Sequence, residues 1–560
     1  MLQHSNNVAQ DVLVEGGSLI VGQTSSDGSA NLTASSGQIN VIGGGLLGGH
    51  GIFNADVIIK NGGVFSPGNS IGTTTIAGDW TLESGAVYEV EVDTDNPGDG
   101  TLSDPGVSDL TVVTGAASLS GTLRVLASGA GKEISDYTGG KQWLILDALT
   151  ALTGTFDRAY SDLAFLVPEL YYDDVNFDVW LSFIQKASFG SYAETFNQRS
   201  AAAALESLGT ESSLFNTVVT GTAEHEVRGL LDSLSAEIHA TVLGSLFSAG
   251  TDFWGSLAGR ASRISRGEED FRRGEAASAG AGDYTSLNGF WMSAGASYGV
   301  LKDNGNAGRA EIRGRELSLG YQRAFTDGWF GGLAFMYSSK RLEVASRSSK
   351  ADVDSFYLAL YGGKEFRAGP GALRLLLAGV FGRHEVSAER RAVVGSDQQI
   401  LSSSYDADSQ LVFFEVAYRR HLSKRTILEP FLSEGRNNIV ADSFAESGGT
   451  AALRVGKERW SDASSAAGLR AKFKASERLS FSLEAGWRHV YGKTVPRSVM
   501  AFHEGGGDLS RQRRRFEPGR GGAGGGSRLS RVGKREPRAQ LPGKFRPPGR
   551  KPRGGSDLHG

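Results

Sequence analysis

From about Gly289 to Tyr491 the chain alternates apolar and polar residues over roughly nine segments, and this period of two constrains the fold more than any other feature. In one segment Leu479, Phe481, Leu483, Ala485, Trp487 and Tyr491 make an apolar face, while Arg478, Ser480, Ser482, Glu484, Gly486 and Arg488 make the other. Phe290, Met292, Ala294, Ala296 and Tyr298 repeat the stripe, as do Trp329, Gly331, Leu333, Phe335 and Tyr337, then Val412, Phe414, Val416 and Tyr418. Such strands suit a wall between lipid and water, and the aromatic residues ending several stripes suit an interfacial girdle. The pattern predicts strands at 289–299, 311–325, 329–345, 351–366, 371–387, 404–421, 426–442, 460–473 and 477–491. Short turns would face one side of the membrane, and the longer stretches near 300–310, 388–402 and 443–459 the other.

Composition narrows the alternatives. No apolar run approaches the ~18 residues of a membrane helix, so helical spanning is excluded. A mean hydropathy of -0.22 does not exclude a barrel, because alternation dilutes the signal. The chain has 560 residues, enough for several domains, and no cysteine, so no disulfide holds it. Its first residues, Met1 to Asn6, offer neither a basic nor an apolar region, so no export signal is expected in the chain as written.

Upstream, a short unit recurs. Val12, Val14, Gly16 and Gly17 are echoed by Val57, Ile59, Gly62 and Gly63, then by Trp80, Leu82 and Gly85, then by Leu119, Gly121 and Leu123. An interval of about 23 residues fits one rung of a parallel β-helix, with Val, Ile and Leu inside and Thr, Asn, Ser and Asp outside. The turn running from Asn61 to Thr73, with Ser66, Pro67, Gly68, Asn69, Ser70 and Gly72 at its centre, resembles the turn near the end of autotransporter passengers, the type V secretion family. Tyr88–Asp93 and Ser108–Val112 resemble the rungs that follow it there. Leu234–Ala240 resembles the helix that precedes the family's barrel.

The resemblance covers roughly residues 40 to 505 and implies an all-β architecture with four parts. Residues 1–185 would be the end of a β-helical passenger with an autochaperone-like cap around Trp143–Leu181, and 186–287 a helical linker threading the barrel. Residues 288–508 would be an antiparallel translocator barrel with about nine of the family's twelve strands. Residues 509–560 would be a disordered basic tail. The implied function is export of the passenger and its anchoring at the outer membrane and cell surface of a Gram-negative bacterium. Implied partners are outer-membrane lipid, the barrel-assembly machinery and a surface or host ligand of the passenger. The alternative is a secreted or surface adhesin-like β-helical module without a membrane barrel.

In the linker, Val227, Leu230, Leu231, Leu234, Ile238 and Val242 predict one amphipathic helix continuing to Arg260. Its small, cationic end suits a narrow polar lumen, where Arg260, Arg263 and Arg266 would meet Glu316, Glu415 or Glu484. Elsewhere chemistry fails on context. Gly295–Gly299 matches G-x-S-x-G but lies in an alternating segment with no helix after it, so it makes no nucleophile elbow. Gly43–Gly48 lacks a βαβ unit. His225–Glu226 lacks the second histidine of a zinc helix, and Asp93, Asp95, Asp99, Asp104 and Asp109 lack ordered Ca²⁺-loop spacing. No catalytic residue, metal or cofactor is expected, and the translocator is not an enzyme. The tail carries Arg513–Arg515, Lys534–Arg535 and Arg550–Arg553 with few aromatics, so no nucleic-acid partner is expected. Its Arg/Gly/Pro content instead suggests a frameshift after about Asp508, with a truncated N-terminus upstream.

Overall fold

The computed structural model describes residues 2, 4, 6–22, 30–127, 132–185, 188–264, 288–476, 479–491, 497–512 and 530–532. From Asn6 to Gly154 short strands stack in parallel into three sheets, the rungs of a β-helix. Trp80 lies on Val57 and Val87 on Val64, each 23 residues apart, the interval read from the repeat. Other rungs differ. Ile39 reaches Val57 after 18 residues and Trp80 reaches Ala117 after 37. The long rung contains the acidic loop between Val92 and Ser108, which leaves at a corner and so does not disturb the stacking.

Inside the solenoid Phe53, Phe65, Trp80 and Tyr88 form a ladder with ring centroids 5.1 to 6.3 Å apart. Each such ring contributes about 1.5–3 kcal/mol by leaving water. The expectation that Thr and Asp stay outside needs correction, because Thr74, Thr111 and Asp109 are buried. Each finds a partner there: the Thr74 hydroxyl donates to the Gly49 carbonyl, and Thr111 Oγ1 lies 2.8 Å from the Tyr88 hydroxyl. Asp109 accepts backbone N–H groups of Gly72 and Glu91. Beyond Trp143–Ala148 the sheet turns antiparallel, with Asp178–Gln185 pairing Trp143 to Leu181 and Leu166–Asp173 outside it. This hairpin covers the last rung.

Four helices follow: α1 (Phe196–Glu206), α2 (Ser213–Gly221), α3 (Val227–Leu234) and α4 (Glu237–Ile264). The single helix predicted from Val227 onward is broken at an elbow where Ala236 takes φ +45°, a conformation costly for a residue with Cβ. The apolar stripe explains the break. Leu230, Leu231 and Leu234 join the solenoid's core, whereas Ile238 and Val242 belong to a separate core inside the strand array. Among the described residues of the expected 186–287 linker, α4 runs along the inner face of that array, while Leu205, Val218 and Leu231 of α1–α3 belong to the solenoid's core.

The array contains all nine predicted strands: β1 (Gly289–Leu301), β2 (Ala310–Ala324), β3 (Trp329–Val344), β4 (Ser349–Ala368), β5 (Gly371–Val394), β6 (Asp397–Ser423), β7 (Thr426–Ala441), β8 (Glu458–Ser476) and β9 (Leu479–Tyr491). They pair antiparallel in chain order. Phe335 is 43% exposed and Met336 2%, so the apolar stripe faces outward as alternation requires. The loop expected at 388–402 is instead a continuation of β5 and β6, leaving a turn at Gly395. Ala392, Val394 and Leu401 pack there into the core under the linker helices, and that burial extends the pairing. The stretch expected as a loop at 443–459 supplies Phe444–Ala445 and Leu453–Val455 to a small sheet completed by Arg497–Phe502 and Gly505–Gln512. That last strand crosses the boundary expected at 508. Ser530–Val532, inside the expected disordered tail, pairs with Ser480–Ser482 of β9. Among the described residues β1 has β2 as its one neighbour, so the sheet has two ends.

Candidate functional site

Helix α4 packs on the inner faces of β3 to β7. Its small residues permit close approach: a Cβ on Gly250 would lie 2.4 Å from Leu411 Cδ2. Trp254 stacks on Phe413 with ring centroids 4.8 Å apart and planes 5° apart, and Phe253 meets Tyr357 at 5.8 Å. Nearer the elbow, Ile238, Val242 and Leu246 pack with Leu342, Val353 and Ile439. At these positions the wall meets the helix with apolar side chains.

The residues predicted to form ion pairs are placed as follows, where the described residues include them. Arg260 is 3% exposed, donates from Nε to Gln322 Oε1 at 2.8 Å, and holds its guanidinium 4.4 Å from the Trp291 ring. The Gln322 amide and the Trp291 ring face are thus among its partners. Arg263 belongs to the last turn of α4, with its side chain outside the described residues, and Arg266 lies outside them entirely. Glu316 is half-buried on β2, in register with Gly295 and Ser338. Glu415 accepts from Arg374 Nη2 at 2.9 Å and from Arg470 Nη1 and Nη2 at 2.8 Å. Glu484 accepts from Arg470 Nε at 3.1 Å. Glu415 and Glu484 are thus held by arginines of the wall.

Glu429 completes this network, 2.9 Å from Arg374 Nη2 and directly across from Arg470 in the β7–β8 register. The charges of Arg374, Glu415 and Glu429 are almost fully buried. Removing one partner from such a group costs about 3–5 kcal/mol, because the remaining charge stays buried and unpaired. Strand register brings Glu429 of β7 level with Arg470 of β8, and both meet Arg374 or Glu415 on the buried side of the sheet.

In the solenoid, the turn motif closes over two residues the sequence did not connect with it. Ser66 Oγ donates to Glu89 Oε1 at 3.4 Å, and Pro67 ends the strand that begins at Val64. Gly68 has φ +75° and donates its N–H to Thr74 Oγ1 at 3.3 Å, while Asn69 donates to His50 Nε2 at 3.4 Å. Ser70 is exposed at the tip, and a Cβ on Gly68 would lie 2.1 Å from its carbonyl oxygen. Gly72 donates to Asp109 Oδ1 at 2.9 Å, and a Cβ there would lie 1.9 Å from the His50 ring. Asp109 is therefore no member of an acidic loop site, since both carboxylate oxygens serve backbone donors. Burial pushes its carboxyl up to about 8, against the pull of those donors.

Ser297 of the G-x-S-x-G match sits mid-strand in β1, in register with Gly314, with no elbow.

Residues 290–531 match the Autotransporter beta-domain family model. An extracellular serine protease of Serratia marcescens is 27% identical over 499 residues, covering 82% of this chain and 46% of that protein. The chain spans about half the length of the curated relatives it matches. Among solved structures, the translocator domain of the autotransporter NalP from Neisseria meningitidis aligns with a TM-score of 0.34 at 15% identity, over 47% of this chain and 87% of that one. The transport unit of the autotransporter AIDA-I from Escherichia coli gives 0.28 at 16%, over 40% and 75%. Residues 290–531, with their alternating strand array, outward apolar band and a helix along the inner face, carry the β-domain that the autotransporter family model describes, a domain of the outer membrane.

Proposed function

We propose that the strand array carries a β-helical passenger to the cell surface and then holds it there by α4. One observation carries the reading: a single chain path runs from the capped solenoid through α1–α3 into α4 along the inner wall. Lipid contacts the outward band and the general outer-membrane assembly machinery receives the strands, as for the family. A surface or host ligand would be bound by the passenger. The translocator region is not catalytic. The protease activity in the relatives' names belongs, in this reading, to the part of those proteins that this chain does not span.

An epitope placed at Leu102, an exposed residue of the acidic loop, tests the proposal. With the chain expressed behind an export leader, protease added to intact cells should remove the epitope. An epitope protected until the outer membrane is permeabilised would defeat the reading.

A further inference from the structure

A polar cleft of about 560 Å³ opens on the outward face of the strand array, at the end away from the short turns at Thr326–Gly328 and at Gly369 and Pro370. Its floor is β4, β5 and β6, and its far wall is the segment 445–447. Ser402 and Ser447 tie that wall to β6, each donating its N–H to the other's carbonyl at 2.9 Å. We propose that this cleft holds a neutral sugar unit of the glycolipid that makes up the outer leaflet around the array. This assignment rests on the outer-membrane reading and gives that domain a ligand of its own.

Strand register builds the floor as two rows. Lys350, Glu389 and Ser402 stand abreast on β4, β5 and β6, and Asp352, Ser387 and Ser404 stand abreast one step nearer the apolar band. Neighbouring strands lie about 4.8 Å apart and alternate residues of one strand roughly 6.7 Å apart, spacings that a sugar ring with its exocyclic groups spans. Ser387, Ser402 and Ser404 are exposed, so their hydroxyls reach into the cleft's solvent. The charges beside them are already matched. Lys350 Nζ lies 2.9 Å from Glu389 Oε1, and Arg341 grips Asp352 through Nε at 2.7 Å and Nη2 at 2.9 Å. Among the described lining residues two carboxylates thus stand against one ammonium, each within an ion pair. Such a floor disfavours an anion and suits a polyol, whose hydroxyls both donate to carboxylates and accept from hydroxyls and an ammonium.

Position selects the source of the sugar. On β5 the outward Phe381, and on β4 the outward Phe356, are the aromatic residues that end the apolar band before the charged run begins. The first charges beyond them satisfy one another: Arg383 donates to Asp406 at 2.6 Å and to Asp408 at 3.0 Å, and the Tyr337 hydroxyl donates to Asp354 at 2.8 Å. Ser387 lies further along β5, about 20 Å from Phe381 along the strand. At a strand tilt of about 40° that is about 15 Å of height above the aromatic edge. A phospholipid headgroup layer reaches about 5–8 Å beyond the hydrocarbon, so the cleft stands above it, at a level that a lipid extended by sugars fills.

The probe is the deacylated, dephosphorylated oligosaccharide of lipopolysaccharide, titrated calorimetrically into the purified full chain in detergent. It should bind saturably. Ser387→Ala with Ser404→Ala should lower the affinity about tenfold, as the loss of two modest hydrogen bonds would. Ser404→Trp, which fills the cleft, should abolish binding, and Ser461→Ala, exposed on β8 outside the cleft, should leave it unchanged. The proposal is overturned if the parent chain does not bind, or if the double alanine and tryptophan variants bind as the parent does. It is equally overturned if Ser461→Ala weakens binding as much as they do, or if binding requires the phosphates to be retained. Equal affinity for a maltose oligosaccharide also overturns it, since the cleft would then not select the glycolipid. Because the probe is soluble and the assay reads neither insertion nor export, its failure leaves the epitope test of the export reading standing.

Discussion

At the residue scale, the solenoid's capped end concentrates charge that its fold does not neutralise. Asp147, Asp178 and Asp173 stand in register across three neighbouring strands, and Asp178 is 1% exposed. Burial, then the two neighbouring carboxylates, push its carboxyl up to about 6 from 3.8. The folded state therefore binds more protons than the unfolded one between those values. The cap should be most stable below pH ~4 and lose stability as pH rises through about 6. Asp178→Asn should remove that slope and raise stability at pH 7.5 by about 1–2 kcal/mol, read from protease resistance of the solenoid. A variant no more resistant than the parent at that pH would exclude repulsion at this site. Gly72 makes the opposite case. Ala there must displace His50 and strain the turn, so Gly72→Ala should cost about 1–3 kcal/mol in the same assay. Unchanged resistance would mean the ring has room to move.

At the element scale, alternation predicted which face each strand of the array presents, because in a sheet that parts lipid from a packed interior the period of two admits two registers and one of them buries charge in hydrocarbon. Spin labels at Phe335 and Met336 should report lipid and interior respectively, and the reverse accessibilities would remove the register. Helix α4 was legible as amphipathic, but the elbow at Ala236 was not. The stripe from Leu230 to Val242 is unbroken in sequence, and only the existence of two separate cores decides that it must bend. For the same reason the extension of β5 and β6 went unread. Ala388, Arg390, Ala392 and Val394 alternate well enough, yet their inward face is buried by helices more than 150 residues away in sequence, as the Arg390–Ser233 contact shows.

At the scale of the whole molecule, the described sheet has two ends, β1 and the β9 side. An unpaired strand edge in hydrocarbon leaves roughly ten backbone groups without partners at several kcal/mol each, more than a folded chain's net stability of about ten. Those edges must therefore be paired in the membrane, so β1 and the β9 side should resist hydrogen exchange in heat-modifiable barrel recovered from outer membranes, and rapid exchange along either strand would show an open edge. The family match reaches 531, past the composition change near Asp508. Translating the coding DNA in its other two frames from about codon 505 tests the frameshift: one frame should show alternating strands ending in an aromatic residue, and neither doing so would reject it.

Period and turn chemistry are local, so the sequence by itself determined the solenoid, the nine-strand array and its outward apolar stripe. Which charges meet is not local. The tertiary structure gave Glu415 to Arg374 and Arg470 rather than to the helix, set Arg260 on Gln322 and Trp291, and placed His50 and Asp109 under the turn motif. It also joined Ser233, Glu446 and Ala451 through Arg390. Each of these depends on strand register and on which surfaces share a core, and both are settled only when segments distant in sequence compete for the same buried space.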